Sequence, residues 1–368
     1  MKKYRKHDRS GPTRLVAMLA VLCAGVVGIG FIIAWKSGWF GGTNTTGPAA
    51  ANGANANSAS GAKDAEATTV SHQKIDESLE AAASYVSADR LGEAEKILEE
   101  LIKVAPKNPA VLRQLYELRL FQGRYEDAYA TIRSLLDIDS DDPEQYFNAG
   151  TIAFKIGKLT QAEVHYQQAA TMDVTNPKYP LYLAQTQVKL HEYSEAKINL
   201  LKVINLNGSV HEAFGTLAEI ALIENKLDIA AQDIERARTV APNFLKWRII
   251  EAKIIRRKGK PEEALQRLNA ITDPKIRLLS EVVDEKAVCW AMLGEPEKAA
   301  QEYVNQVNAF PDAWLAAVHA SEYFMIAGNE QKGKVWYLYA KGKAPEGAHE
   351  VVDLAKRFER ADSDSDGG

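Results

Sequence analysis

Three His-Glu pairs stand out as residues that could do chemistry: His191-Glu192, His211-Glu212 and His349-Glu350. Each begins like HExxH, in which two imidazoles one helical turn apart hold zinc and the glutamate activates water. The continuations are "HEYSE", "HEAFG" and "HEVVD", so the second histidine is missing every time. Asp362 to Gly367, "DSDSDG", imitates the first half of a calcium loop, but the chain stops before a bidentate glutamate. Asp137, Asp139 and Asp141 alternate in the same way without the glycine such a loop needs. "GVVGIG" lies inside a long apolar run with no strand before it, which is not the setting of a nucleotide loop. Cys289 sits in "AVCWAML" and reads as packed core. None of these supports catalysis, a metal or a cofactor, and the expectation is a protein that is not an enzyme.

The elements around these residues explain why. Ala94, Ala128, Ala162, Ala196, Ala230, Ala264, Ala299 and Gly333 recur at 34 or 35 residues. Five places before each stands Asp89, Gly123, Gly157, His191, Asn225, Gly259, Gly294 or Gly328, residue types that, His191 apart, accept positive φ more easily than most. Four places after each stands a bulky residue: Leu98, Ile132, Tyr166, Leu200, Ile234, Leu268, Tyr303 or Tyr337. Twelve places before lies a second small column, Ala82, Gly150, Ala184, Ala218, Ala252, Ala287 and Ser321, which Tyr116 breaks. Pro106, Pro242, Pro311 and Pro345 stop second helices. A small residue where two helices cross, a large one a turn later and a turn residue between them describe a helical hairpin repeated eight times.

This pattern resembles the tetratricopeptide repeat over residues 75–347. The resemblance implies an all-α fold, a right-handed superhelical solenoid of about eight helix-turn-helix units. Departures are Tyr116, the prolines 177 and 180 that open repeat four, and one extra residue before repeat seven. "EGAHEVVDLAKRFER", 346–360, reads as the helix that covers the last hairpin, and 361–368 as an acidic disordered tail.

The resemblance also implies a concave face lined by first helices, receiving a peptide or helix of a protein partner. Mapped onto this chain, that face holds Arg113, Gln114, Glu117 and Phe121, then Phe147, Asn148, Thr151 and Phe154, then Tyr182, Gln185 and Lys189. A second candidate patch is basic: Lys246, Lys253, Arg256, Arg257, Lys258 and Lys260, which either docks an acidic partner or pairs with Glu281, Asp284 and Glu285 of the next repeat. Leu79 and Ala83 stand where some relatives place a lysine-asparagine clamp for carboxyl-terminal tails, so that use is not expected.

The amino-terminal fifth is different. Leu15 to Trp35 is uncharged for 21 residues, enough for a helix to cross a bilayer. Lys2, Lys3, Arg5, Lys6, Arg9 and Arg14 precede it, which places 1–14 in the cytoplasm and the repeats on the other side. The run is too long for a cleaved signal peptide, and Trp35, Lys36 and Trp39 sit where cleavage would fall. Ala20, Ala24 and Gly28 offer a small-residue face for self-association of the anchor. Residues 36–71, rich in Gly, Ala, Asn, Ser and Thr, read as a flexible linker. Seven of the 45 Lys and Arg residues but one of the 49 Asp and Glu residues lie within 1–36, so the remainder is acidic and nucleic acid is not an expected partner. The expectation is a single-pass protein of the cell membrane with a periplasmic or otherwise extracytoplasmic repeat domain, acting as a scaffold or, alternatively, as a chaperone-like holder of unfolded clients.

Overall fold

A computed structural model describes residues 59–365, with side chains described from 73 to 359. The expected basic segment, the span 15–35 and the linker as far as residue 58 lie outside the described residues. Among the described residues no helix is long and apolar enough to cross a membrane. The chain divides into two units at Ala67/Thr68, and the unit Thr68–Gly368 carries the repeats.

All regular structure among the described residues is helical: α1 (Ala59–Ser87), α2 (Leu91–Val104), α3 (Pro109–Phe121), α4 (Tyr125–Leu136), α5 (Pro143–Lys155), α6 (Leu159–Met172), α7 (Lys178–Lys189), α8 (Tyr193–Leu206), α9 (His211–Ile223), α10 (Leu227–Val240), α11 (Leu245–Arg257), α12 (Pro261–Asn269), α13 (Pro274–Arg277), α14 (Ser280–Met292), α15 (Pro296–Ala309), α16 (Trp314–Ile326), α17 (Glu330–Lys343) and α18 (His349–Ser365). With α13 and α18 set aside, these pair into eight hairpins. α1 begins at Ala59, so the carboxyl-terminal part of the expected linker is helical; its Ala, Lys and Glu content favours continuation of the first repeat helix. α18 likewise runs on into the segment expected as a tail.

The hairpin turns follow one design. In the second hairpin the N–H of Gly123 bonds Leu120 O at 3.0 Å and that of Arg124 bonds Arg119 O at 2.8 Å, closing the helix end through a left-handed residue. All eight turn positions have positive φ: five glycines, Asp89, Asn225 and His191, whose φ is 64°. His191 therefore holds a backbone conformation unfavourable to its type, with its Nδ1 2.7 Å from the Tyr193 hydroxyl. The seven alanines of the crossing column have no exposed surface. At Gly150 the crossing is tighter still, because an ideal Cβ there would meet the Tyr166 ring at 2.8 Å.

Tyr116, the large residue in a small column, is buried between α3 and α5 and its hydroxyl engages Asn148. The prolines of repeat four fall at the N-cap and in the first turn of α7, where backbone N–H groups have no helical acceptor to lose. The insertion before repeat seven is absorbed in α12, which is short, and in the single turn α13. Asp273 caps that turn by accepting from Lys275 N and Ile276 N, and Pro274 opens it. Val351, Leu354 and Phe358 of α18 are buried against the last hairpin and close the stack.

Candidate functional site

Successive first helices α7, α9, α11 and α14 touch one another directly, whereas each second helix meets the first helix of the next hairpin and no pair of second helices makes comparable contact. A row whose members converge on one side curves toward that side, so in this stretch the first helices form the inner face.

The expected face residues divide by burial. Phe147 is 6% exposed. Its ring is enclosed by Tyr166 at 5.5 Å, Tyr179 at 5.7 Å and Tyr182, edge-on, at 5.0 Å, and Lys178 Nζ covers it at 3.7 Å. Lys178 also pairs with Glu144 at 2.8 Å, so the cover is held in place. The expectation that Phe147 presents its ring to a partner is corrected: helix spacing placed it on the right side but could not show that tyrosines of two hairpins would close over it. Thr151 is half-buried and receives the Tyr166 hydroxyl at 3.2 Å.

Tyr182 and Gln185 on α7, with Gln114 and Asn148, are half-buried, and burial raises the Tyr182 hydroxyl above its ordinary range. Arg113 is exposed and pairs with Asp139 at 3.4 Å. Phe121 is 52% exposed, and Phe154 is half-buried with Lys189 Nζ 5.7 Å from its ring centre. Glu117 is open to water, yet the surrounding protein withdraws enough bulk solvent to raise its carboxyl above the ordinary range, with Arg113 acting in the opposite sense. α3, α5 and α7 thus bring together amide, aromatic and charged groups on one side, which is the chemistry of a main-chain and side-chain contact surface rather than of bond making.

The second patch is mostly engaged. Arg256 is largely buried and bonds Glu285 of α14 at 2.5 Å. Arg257 donates to Leu222 O at 2.7 Å and Asn225 Oδ1 at 3.0 Å, tying α11 to the preceding turn. Lys246 pairs with Glu219 and Lys258 with Asp228, each at 2.8 Å. Of the six basic residues, Lys253 alone is exposed with neither an ion pair nor a side-chain hydrogen bond among the described residues; Arg256 and Arg257 serve as ties between hairpins. The Arg256–Glu285 pair is the pairing with the next repeat that the sequence offered beside docking, whereas the partners of Lys246, Arg257 and Lys258 lie on the preceding repeat and were not legible there.

Two of the three histidines of the His-Glu pairs have structural partners, His191 in its turn and His211 on α9. His211 Nδ1 accepts from Trp247 Nε1 at 3.0 Å. Cys289 is buried, and burial, helped by Glu285, pushes its thiol up to about 12, far from a nucleophile's range. Among the described residues no group of three or more His, Cys, Asp or Glu side chains could hold a metal.

Comparison with known proteins agrees with this architecture. A tetratricopeptide repeat family model matches residues 85–149. The low calcium response locus protein H of Yersinia pestis is 30% identical over 92 residues, 24% of this chain and 55% of that protein; the same holds for its counterpart in Yersinia pseudotuberculosis. The chain therefore spans about half the length of the curated relatives it matches. Among solved structures, a tetratricopeptide repeat protein from Parabacteroides merdae superposes with a TM-score of 0.57 at 16% identity, covering 68% of this chain and 99% of that one. Yeast Tom70 superposes at 0.54 and 15% identity, covering 75% and 60%. At these identities the likeness concerns the fold: an all-helical solenoid of tetratricopeptide type.

Proposed function

We propose that this chain is a membrane-tethered interaction scaffold, which binds a peptide or helix of a partner protein on the face formed by its first helices. The observation that carries the reading is the side presented by α3, α5 and α7, where half-buried Tyr182, Gln185, Gln114 and Asn148 stand beside exposed Arg113 and Phe121. Such groups supply flat apolar contact and hydrogen bonds to main chain. The tether follows from the uncharged run Leu15 to Trp35 and its basic flank, which would hold residues 1–14 in the cytoplasm and the repeats in the periplasm or another extracytoplasmic space. Ala20, Ala24 and Gly28 would let two anchors pair.

A second reading, a holder of unfolded clients, draws on the exposed apolar groups Phe121, Ile223, Met292 and Ile326. A photoreactive residue at Tyr182 or Gln185, with Ile198 on a second helix as control, separates the two in native membranes. One protein captured stoichiometrically at 182 and 185 supports the scaffold; many captured weakly supports the holder. Capture at 198 alone would overturn both. Protease added after outer-membrane permeabilisation should digest the repeats; digestion only after inner-membrane rupture would reverse the proposed orientation.

A further inference from the structure

From α3 onward every first helix ends at the same register position, and the first four terminal residues are Phe121, Lys155, Lys189 and Ile223. None of the seven residues in this row is acidic, and all are exposed. Phe121 and Ile223 are 52% and 53% exposed. At the opposite end of the same helices the cations are satisfied, as in Lys178 with Glu144 and Lys246 with Glu219. Lys155 and Lys189 have no carboxylate partner among the described residues. Each lies instead near an aromatic ring of the preceding hairpin: Lys155 Nζ is 5.0 Å from the Tyr125 centroid and Lys189 Nζ 5.7 Å from that of Phe154. Lysines beside rings are held in place while their outer faces stay open to a ligand.

We propose that this rim of α3, α5, α7 and α9 docks an extended partner segment in which acidic residues alternate with aromatic or aliphatic ones. Helix spacing sets the two lysines roughly 10 Å apart. An extended chain covers that in about three residues at 3.3 Å each, so carboxylates two to four residues apart reach both cations. The apolar side chains between and beyond them meet Phe121, Phe154 and Ile223. The charge complementarity selects an acidic segment over a basic one. The inference rests on the reading of the first-helix face as a binding surface.

The test uses full-length protein in detergent and fluorescein-labelled dodecapeptides read by anisotropy: alternating Asp with Phe and Leu, the same with Lys for Asp, and Asp alternating with Ser. The first should bind, weaken as salt rises, and lose about tenfold or more in affinity in K155E/K189E. K155R/K189R should retain binding, F121S should weaken it several-fold, and K103E/K341E, the same charge change elsewhere, should leave it unchanged. Equal binding of the Lys peptide, or indifference to K155E/K189E, overturns the proposal. Crosslinking of the bound peptide distinguishes the failures: capture at Tyr182 without rim dependence removes the rim but keeps the face, and capture only on second helices removes both.

Discussion

The indole of Trp247 lies directly on Gly215, so close that an ideal Cβ on that glycine would stand 2.2 Å from Cη2. The contact joins first helices of neighbouring hairpins, α9 and α11, and the indole N–H is fixed by His211 in the first turn of α9. Gly215 is therefore required by close approach, not by a turn. Gly215→Ala should destabilise the protein by about 1–3 kcal/mol, since a rigid, 2% exposed ring has nowhere to move. In a Trp247→Leu background the same substitution should cost much less. Denaturant midpoints of the four proteins measure that coupling, and strict additivity would refute the contact.

His191 occupies the turn position that glycine fills in five other repeats, with φ of 64°. A side chain there costs about 1–2 kcal/mol, against about 0.5–1 kcal/mol of extra unfolded-chain entropy for glycine. His191→Gly should therefore raise stability by about 0.5–1 kcal/mol, and Gly157→Ala should lower it by a similar amount. Chemical denaturation reports both, and a loss on His191→Gly would mean that the Tyr193 contact outweighs the backbone strain.

These two positions show how far the sequence could be read. The turn column predicted left-handed backbone at His191 because spacing sets the turn whatever residue fills it. The small column predicted close crossing within hairpins, as at Gly150. Gly215 belongs to neither column, because its constraint comes from a ring 32 positions away in another hairpin. The same limit governs the candidate site. Helical spacing assigned Phe147 and Tyr182 to the same side, but only packing distinguishes the enclosed ring from the half-open one. For Arg256 the spacing offered pairing with Glu285 beside docking, whereas the tie of Arg257 to the Leu222 carbonyl appears only in the packing.

Glu117 provides a pH-dependent readout of the protein packed around α3. Surrounding protein raises its folded-state carboxyl above the unfolded value, so the native state binds its proton more tightly. The stability this contributes is present at low pH and is lost as pH rises through the raised value. Glu117→Gln, which stays neutral, should be more stable than the parent near pH 7, and the difference should shrink toward about pH 3, below the unfolded carboxylate's range. Urea midpoints at the two pH values test it. A difference that grows on acidification would show that Glu117 is stabilised as the anion, by Arg113, and is not desolvated by its surroundings.

The pair Arg256 and Glu285 joins hairpins six and seven, and its side chains are 15% and 8% exposed. Surface pairs contribute little, but removing one member of a buried pair strands the other charge away from water, at about 3–5 kcal/mol. Arg256→Ala should approach the lower end of that range, since part of the guanidinium can rehydrate. Replacing both residues by apolar ones of similar volume, Arg256→Met with Glu285→Leu, should recover most of the loss. Lys253→Glu, at an exposed position on the same helix, should change stability by less than about 0.5 kcal/mol. Because a repeat array is held by contacts between neighbours, the Arg256→Ala loss should concentrate at one junction. Amide hydrogen exchange should then show faster opening of α11 and α14 while α3 to α6 keep their protection. Uniform loss of protection along the array would mean that the eight hairpins unfold as one cooperative block and that the pair does not act locally.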